Sequence, residues 1–122
     1  MKIKNIKFKA KRLDNGEWII GSFVVMKIPA LSKTTIGIVA AGGATLHEID
    51  PSTVCMFTGL KDKNGTPIYE GDVILYKDDN SERRGEISWS NQISSFSFGC
   101  GLLCYFPTNC MVVVGNKFDK KK

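Results

Sequence analysis

The stretch Ile6-Lys-Phe-Lys-Ala-Lys-Arg-Leu-Asp-Asn-Gly-Glu-Trp-Ile-Ile-Gly-Ser-Phe-Val-Val-Met26 decides the fold class. Ile6, Phe8 and Ala10 fall on one parity and Lys7, Lys9 and Lys11 on the other, the period of two that marks a strand buried on one face. Asp14-Asn-Gly-Glu17 follows. Asn-Gly accepts positive φ at both central positions of a tight turn, so the pattern predicts a hairpin with Trp18 to Met26 as its return strand. Gly21, inside that strand, marks a bulge or a close backbone approach.

The strand signals continue down the chain. Pro29 to Lys33 is a loop, and Thr34-Thr-Ile-Gly-Ile-Val39 carries the β-branched enrichment of a further strand. Leu46-His-Glu-Ile49 resumes extended chain after a glycine-rich turn, and Asp50-Pro-Ser-Thr53 places an N-cap before a proline at the first helical position. Gly59 follows too soon for more than about one helical turn, which predicts a 3₁₀ turn. Between Thr58 and Asp72 lie a second Asn-Gly, at Asn64-Gly65, and Pro67, which together predict a tight turn and an edge segment.

Gly71-Asp-Val-Ile-Leu-Tyr76 starts a strand, Lys77 to Arg84 is a charged loop, and Gly85-Glu-Ile-Ser-Trp89 starts the next strand. This pair resembles the opening strands of SH3-like barrels, where glycines let short strands bend sharply. Phe96, Phe98, Cys100, Leu102, Cys104 and Phe106 share one parity, with a bend or break expected at Gly99-Cys-Gly101. Cys110 to Val114 is apolar throughout, as a buried closing strand is. The fold class that results is all-β: an N-terminal β-hairpin region packed with a small C-terminal SH3-like β-barrel, with short 3₁₀ or helical turns at most. Residues 1–122 form one domain, which admits a subdivision into a hairpin and sheet region (1–57), the barrel (58–116) and a basic tail (117–122).

Composition excludes several classes. Hydrophobic residues make up 43% and charged residues 24% of the 122, a balance that supports a core and is far from disorder or a membrane protein. The N-terminus alternates lysine with apolar residues and lacks the apolar run of a signal peptide. Ile19 to Leu31 is interrupted by Lys27 and Pro29 and is too short to cross a bilayer. A cytoplasmic protein is expected, and its four cysteines, at 55, 100, 104 and 110, are expected to be reduced.

Chemical motifs are sparse. Asp62-Lys-Asn-Gly65 with Glu70 and Asp72 is rich in oxygen, but an EF-hand counted from Asp62 needs glycine at position 6 and glutamate at position 12, where Asn-Gly comes early and Val73 stands. These acids belong to turns. Cys100, Cys104 and Cys110 with His47 would form a zinc site only if the chain reversed sharply at Gly101, since two positions four apart on a strand lie roughly 13 Å apart. His47 is the single histidine, and nothing in the spacing pairs it with a cysteine nucleophile. No phosphate-binding loop or dinucleotide fingerprint is present. No enzyme activity, cofactor, metal or catalytic residue is expected.

A net charge of +5 permits contact with nucleic acid or an acidic partner without requiring it. The residues able to form a basic binding surface are Lys7, Lys9, Lys11 and Arg12 on the first strand and Arg83 and Arg84 further on, with Trp89 as an aromatic neighbour. The alternative is solvated lysines that guard a strand edge against aggregation.

Ile6-Lys-Phe-Lys-Ala10, Gly16-Glu-Trp18, Gly21-Ser22, His47-Glu-Ile-Asp-Pro-Ser-Thr-Val54 and above all Phe57 to Ile74 resemble the YopX family of phage and prophage proteins. The Thr58-Gly-Leu-Lys-Asp-Lys-Asn-Gly65 run with Tyr69-Glu-Gly-Asp72 carries most of the likeness, and Val112-Val-Val-Gly-Asn116 fits it as well. The resemblance implies a small phage or bacterial protein and supplies no catalytic residues. After Asn116 the chain departs from the pattern, ending Lys-Phe-Asp-Lys-Lys-Lys where relatives continue with an aromatic and acidic, proline-containing tail. It implies a non-enzymatic protein-interaction or assembly module whose partner is a host or phage protein, with a nucleic-acid-binding small β-barrel as the alternative and an uncharacterised enzyme as the second alternative. Homo-oligomers are compatible with this reading, and a membrane partner is not expected.

Overall fold

The computed structural model describes residues 5–40, 42–99, 101–103 and 106–119. Among them the protein is all-β, with antiparallel strands joined by turns and short 3₁₀ segments. No helix among these residues is long and apolar enough to cross a membrane. The chain divides into two compact units, Met1–Met56 and Phe57–Lys122.

The first unit contains β1 (Phe8–Lys11), β2 (Trp18–Ile28), β3 (Lys33–Ala40), β4 (Leu46–Glu48) and the beginning of β5 (Cys55–Lys61). Their order across the sheet is β4-β3-β2-β1-β5. The predicted hairpin forms, but through a wider turn than the expected one: Gly16 adopts φ 71° while Asn15 does not take positive φ, Gly16 N–H donates to the Arg12 carbonyl and Arg12 N–H to the Glu17 carbonyl at 2.9 Å, and the Asn15 side chain accepts from Glu17 N–H. Gly21 is a close approach, because a Cβ there would lie 2.1 Å from the Val39 carbonyl oxygen. Ala10, Ile38 and Ile49 are buried and packed by Phe8, Ile19, Ile36 and Val54. Full burial of each isoleucine contributes about 1.5–3 kcal/mol. The expected N-cap also forms, with Asp50 accepting from Ser52 N–H ahead of the 3₁₀ turn Pro51–Thr53.

In the second unit, β6 (Pro67–Tyr69) pairs with the end of β5. A five-stranded sheet follows, of β7 (Asp72–Lys77), β8 (Glu82–Ser90), β9 (Ser95–Phe98), β10 (Gly101–Leu102) and β11 (Met111–Asn116), in the order β10-β9-β8-β7-β11. Ile68, Ile74, Tyr76, Ile87, Phe98, Leu103 and Met111 form its buried core, and the Phe98, Tyr76 and Phe106 rings stack against one another at 5.0–6.1 Å.

This sheet is not a closed barrel. Its edge strands, β10 and β11, are not paired with each other among the described residues. Leu103 and Phe106, from the segment between those edges, lie over the core face, so a crossing segment covers the apolar side chains in place of strand closure. Two local expectations also change. The charged loop from Lys77 to Arg84 is shorter, because Glu82, Arg83 and Arg84 already pair with Lys77, Tyr76 and Leu75. The strand beginning at Phe96 stops at Phe98, and Gly99, at φ 60°, reverses the chain so that β10 pairs back on β9.

Candidate interaction surfaces

The turn between β5 and β7 accounts for the acids that sequence alone leaves without a role. Asp62 is buried: one carboxylate oxygen accepts the amides of Asn64 and Thr66 at 2.9 Å, and the other accepts the Val113 amide at 2.9 Å. Gly65 closes this turn at φ 82°. Burial pushes the Asp62 carboxyl up, but the amides of Val113, Thr66 and Asn64 outweigh it and hold the group below the ordinary carboxylate value. Lys63 N–H donates to the Met111 carbonyl, so this turn covers the outer edge of β11. Asp72, also buried, accepts from Tyr69 N–H at 2.8 Å and from the Asn116 side-chain amide at 3.0 Å. Burial, reinforced by the nearby Asp72 carboxylate, pushes the Tyr69 phenol up to about 12. Both acids are structural clamps on the last strand.

The family model for YopX protein matches residues 7–120. The chain belongs to the YopX protein family. No curated protein sequence matches it. The Thr58 to Asp72 run, which carries most of the sequence resemblance, coincides with the clamp on β11, which is a reason of folding for those residue types at that spacing.

The expected basic residues fall into separate groups. Lys7, Lys9 and Lys11 belong to the first unit, where the Lys9 and Lys11 ammonium groups lie 4.7 and 5.3 Å from the centre of the Trp18 ring. Arg12 is paired with Asp14 at 2.6 Å, which holds the Asp14 carboxyl below its ordinary value. Arg83 and Arg84 sit on β8 in the second unit, and as neighbours on a strand they point to opposite faces. Arg84 shares its face with Glu82 and Glu86 at the alternate positions, so the charge there is mixed. Trp89 is 42% exposed, stacks edge-on against Phe96 and donates to the Asn91 side chain.

Cys100 and Cys104 lie outside the described residues. Among the described residues no group of three or more His, Cys, Asp or Glu is placed to hold a metal. His47 and Glu48, next to each other on β4, line a depression of about 350 Å³ with Leu13, Asp14 and Leu46.

The surface that sequence reasoning passed over is the far end of the β2–β3 hairpin. Among the described residues β1 pairs with β2 only as far as Gly21, and β4 pairs with β3 only at Gly37–Val39, with Ile49 N–H donating to the Ile36 carbonyl just beyond. The β2–β3 ladder runs on to Ile28 and Lys33, where Pro29–Leu31 makes a 3₁₀ turn. This two-stranded ribbon carries Phe23, Val25, Met26 and Leu31, which are 36%, 53%, 45% and 67% exposed. The sequence signal was visible as the unbroken apolar run Phe23-Val-Val-Met26, but only the structure shows that, among the described residues, Phe23 meets the Phe8 ring at 5.6 Å while Val25 and Met26 lie beyond the paired part of β1.

Proposed function

We propose that this YopX family member is a non-enzymatic interaction module that docks another protein on the β2–β3 ribbon. The observation that carries the reading is the pair Phe23 and Val25 on one face of the ribbon, 36% and 53% exposed, with Leu31, 67% exposed, in the turn at its end, while Met26 faces the other side. Isolated exposed apolar residues are ordinary, whereas apolar side chains gathered together mark a contact surface. A two-stranded ribbon is marginally stable in water by itself, so a partner that buries it also stabilises it. The non-enzymatic part of the reading is supported by Asp62 and Asp72, whose oxygens accept backbone and side-chain amides and serve the fold. A phage origin and a cytoplasmic setting accord with this role and are part of the proposal.

The test is a photo-crosslinking residue placed at Leu31 and, as a control, at exposed Lys63 in the second unit, in cells that produce the protein. Position 31 should give a discrete protein adduct and position 63 should not. Absence of adducts at 31, 25 and 26 would sink the reading.

A second reading, contact with nucleic acid, is favoured by one observation, the lysines lying over Trp18. Such binding weakens steeply with salt through counterion release. A gel shift at low salt that Trp18→Ala abolishes would support it, and no shift with single- or double-stranded DNA or RNA would remove it.

A further inference from the structure

We infer that the outer face of the first unit's sheet, centred on Trp18 and Ile20 of β2 beside Lys9 and Lys11 of β1, binds single-stranded nucleic acid, with bases on the apolar residues and phosphates on the lysines. The inference rests on the nucleic-acid reading and names its substrate class. It concerns the face of β2 opposite to Phe23 and Val25, so it makes no use of the docking surface.

The strand register builds this face. Lys11 lies opposite Trp18 and Lys9 opposite Ile20, and directly opposed residues of an antiparallel pair stand on the same side of the sheet. The other side carries Phe8, Ala10 and Ile19 with the core. Ile20 is 47% exposed although it stands within the β1–β2 ladder, so apolar surface is open in the middle of the pairing and not at an edge. Lys9 and Lys11 are two residues apart, about 6.8 Å along the strand, which is close to the interval between successive phosphates of an extended single strand.

Charge on the face favours an anion. β1, β2 and β3 contain no aspartate or glutamate. Glu48 of β4, placed on the same side by the pairing of β4 with β3 and of β3 with β2, is engaged by Lys33 at 3.8 Å. Asp14 and Glu17 lie in the turn that joins β1 to β2, and Asp14 is paired with Arg12. The three strands therefore set positive charge directly beside apolar surface, the combination that single-strand-binding sheets use.

The lysines that lie over Trp18 do not close it to a base. Their ammonium groups are 4.7 and 5.3 Å from the centre of the ring. A cation over an exposed ring is worth ~2–5-fold in an equilibrium, whereas a base stacked on an aromatic side chain is worth ~5–150-fold. The base therefore displaces the cations, and their flexible four-carbon stems carry them to the phosphates of the same nucleotides. A duplex offers its phosphates to the lysines but keeps its base faces stacked inside, so Trp18 and Ile20 gain nothing from it. Because every base has a π-face, the site prefers single strands without requiring a sequence.

Fluorescence anisotropy of labelled oligothymidylate and oligouridylate, each of ~12 nucleotides, against a DNA duplex of the same length at ~20 mM salt tests this on the full chain. The single strands should bind at least ~10-fold more tightly than the duplex, and the tighter of the two identifies DNA or RNA as the source. Trp18→Ala should weaken binding ~5–150-fold. Ile20→Glu changes a half-exposed side chain on the face away from the core, and it should abolish binding while the circular dichroism spectrum stays the same. Two phosphate contacts contribute ~−1.4 to the slope of log affinity against log salt for a single strand, and Lys9→Gln with Lys11→Gln should flatten the slope by that amount. In a Trp89→Phe chain, where Trp18 is the remaining tryptophan, the bound strand should quench the indole fluorescence. Duplex bound as tightly as single strand, binding that leaves Trp18 fluorescence unchanged, or binding that Ile20→Glu leaves intact would each overturn this inference and retain nucleic-acid contact. No binding of strand or duplex by the wild type would overturn both.

Discussion

Replacing Asp62 by asparagine changes one atom of the side chain and should have a large effect. The wild-type carboxylate receives three backbone amides, two on one oxygen from Asn64 and Thr66 and one on the other from Val113. Asparagine retains one oxygen, which can still serve the two turn amides, and turns an NH₂ group towards the Val113 N–H. One charge-assisted hydrogen bond is lost and a partly buried donor faces another donor. A hydrogen bond to a charged group is worth about 1.5–3 kcal/mol, and an unsatisfied buried donor carries a penalty of similar size. Relaxation of the turn relieves part of the second term, which leaves a net destabilisation of about 2–3 kcal/mol. In a domain of this size that is a fall in Tm of roughly 8–15 °C. Urea and thermal unfolding at pH 7, followed by circular dichroism, would measure it, with Asp79→Asn as the exposed control. An Asp62→Asn variant within ~0.5 kcal/mol of wild type, the range of ordinary surface substitutions, would refute the clamp.

Three further outcomes are expected. Gly21→Ala brings a methyl group to 2.1 Å from the Val39 carbonyl oxygen, and because backbone cannot swing aside the cost should be at least ~2 kcal/mol in the same unfolding assay. Acid should unfold the protein through Asp62: its folded carboxyl lies below the ordinary value, so its stabilisation is complete above the unfolded value of ~3.9 and is lost as pH falls beneath that. A urea midpoint that declines below pH ~4 in wild type and declines less in Asp62→Asn would check this sign. At alkaline pH the Tyr69 phenol, with a folded value of about 12, keeps its proton while the unfolded chain loses its own near pH ~10. Stability should therefore fall as pH rises from ~10 towards 12, and tyrosinate absorbance should show that Tyr69→Phe removes a late-ionising phenol.

How much of this was legible in the sequence varied with the range of the interactions involved. The β1 hairpin, the Gly21 approach and the Asp50 cap depend on residues close in sequence or on a period of two, and each appears where the pattern put it. Glu82, Arg83 and Arg84 looked like loop because their composition is charged. Their strand character comes from the register imposed by Leu75 to Lys77, which local propensity does not contain. Closure into a barrel likewise depends on which strands become edges, and a Gly99 reversal decided that. The acids of the Thr58 to Asp72 run could be separated from a calcium loop by spacing. Their work on β11, through a bond from Val113 to Asp62 across 51 residues, could not be read from the sequence. The ribbon was hidden for a similar reason: an apolar run looks the same whether its neighbours extend along it or stop short.

The measurement that tests the docking role most directly is residue-resolved hydrogen exchange across Ser22–Ile28, with and without a saturating amount of the protein that crosslinks at position 31. In the dilute, unbound chain, alternate amides of this run face β3 and exchange slowly, while those facing outward exchange fast. Docking on the ribbon predicts that the fast set slows by at least ~10-fold on binding while amides of the second unit keep their rates. A fast set whose rates are unchanged in the complex would contradict the account.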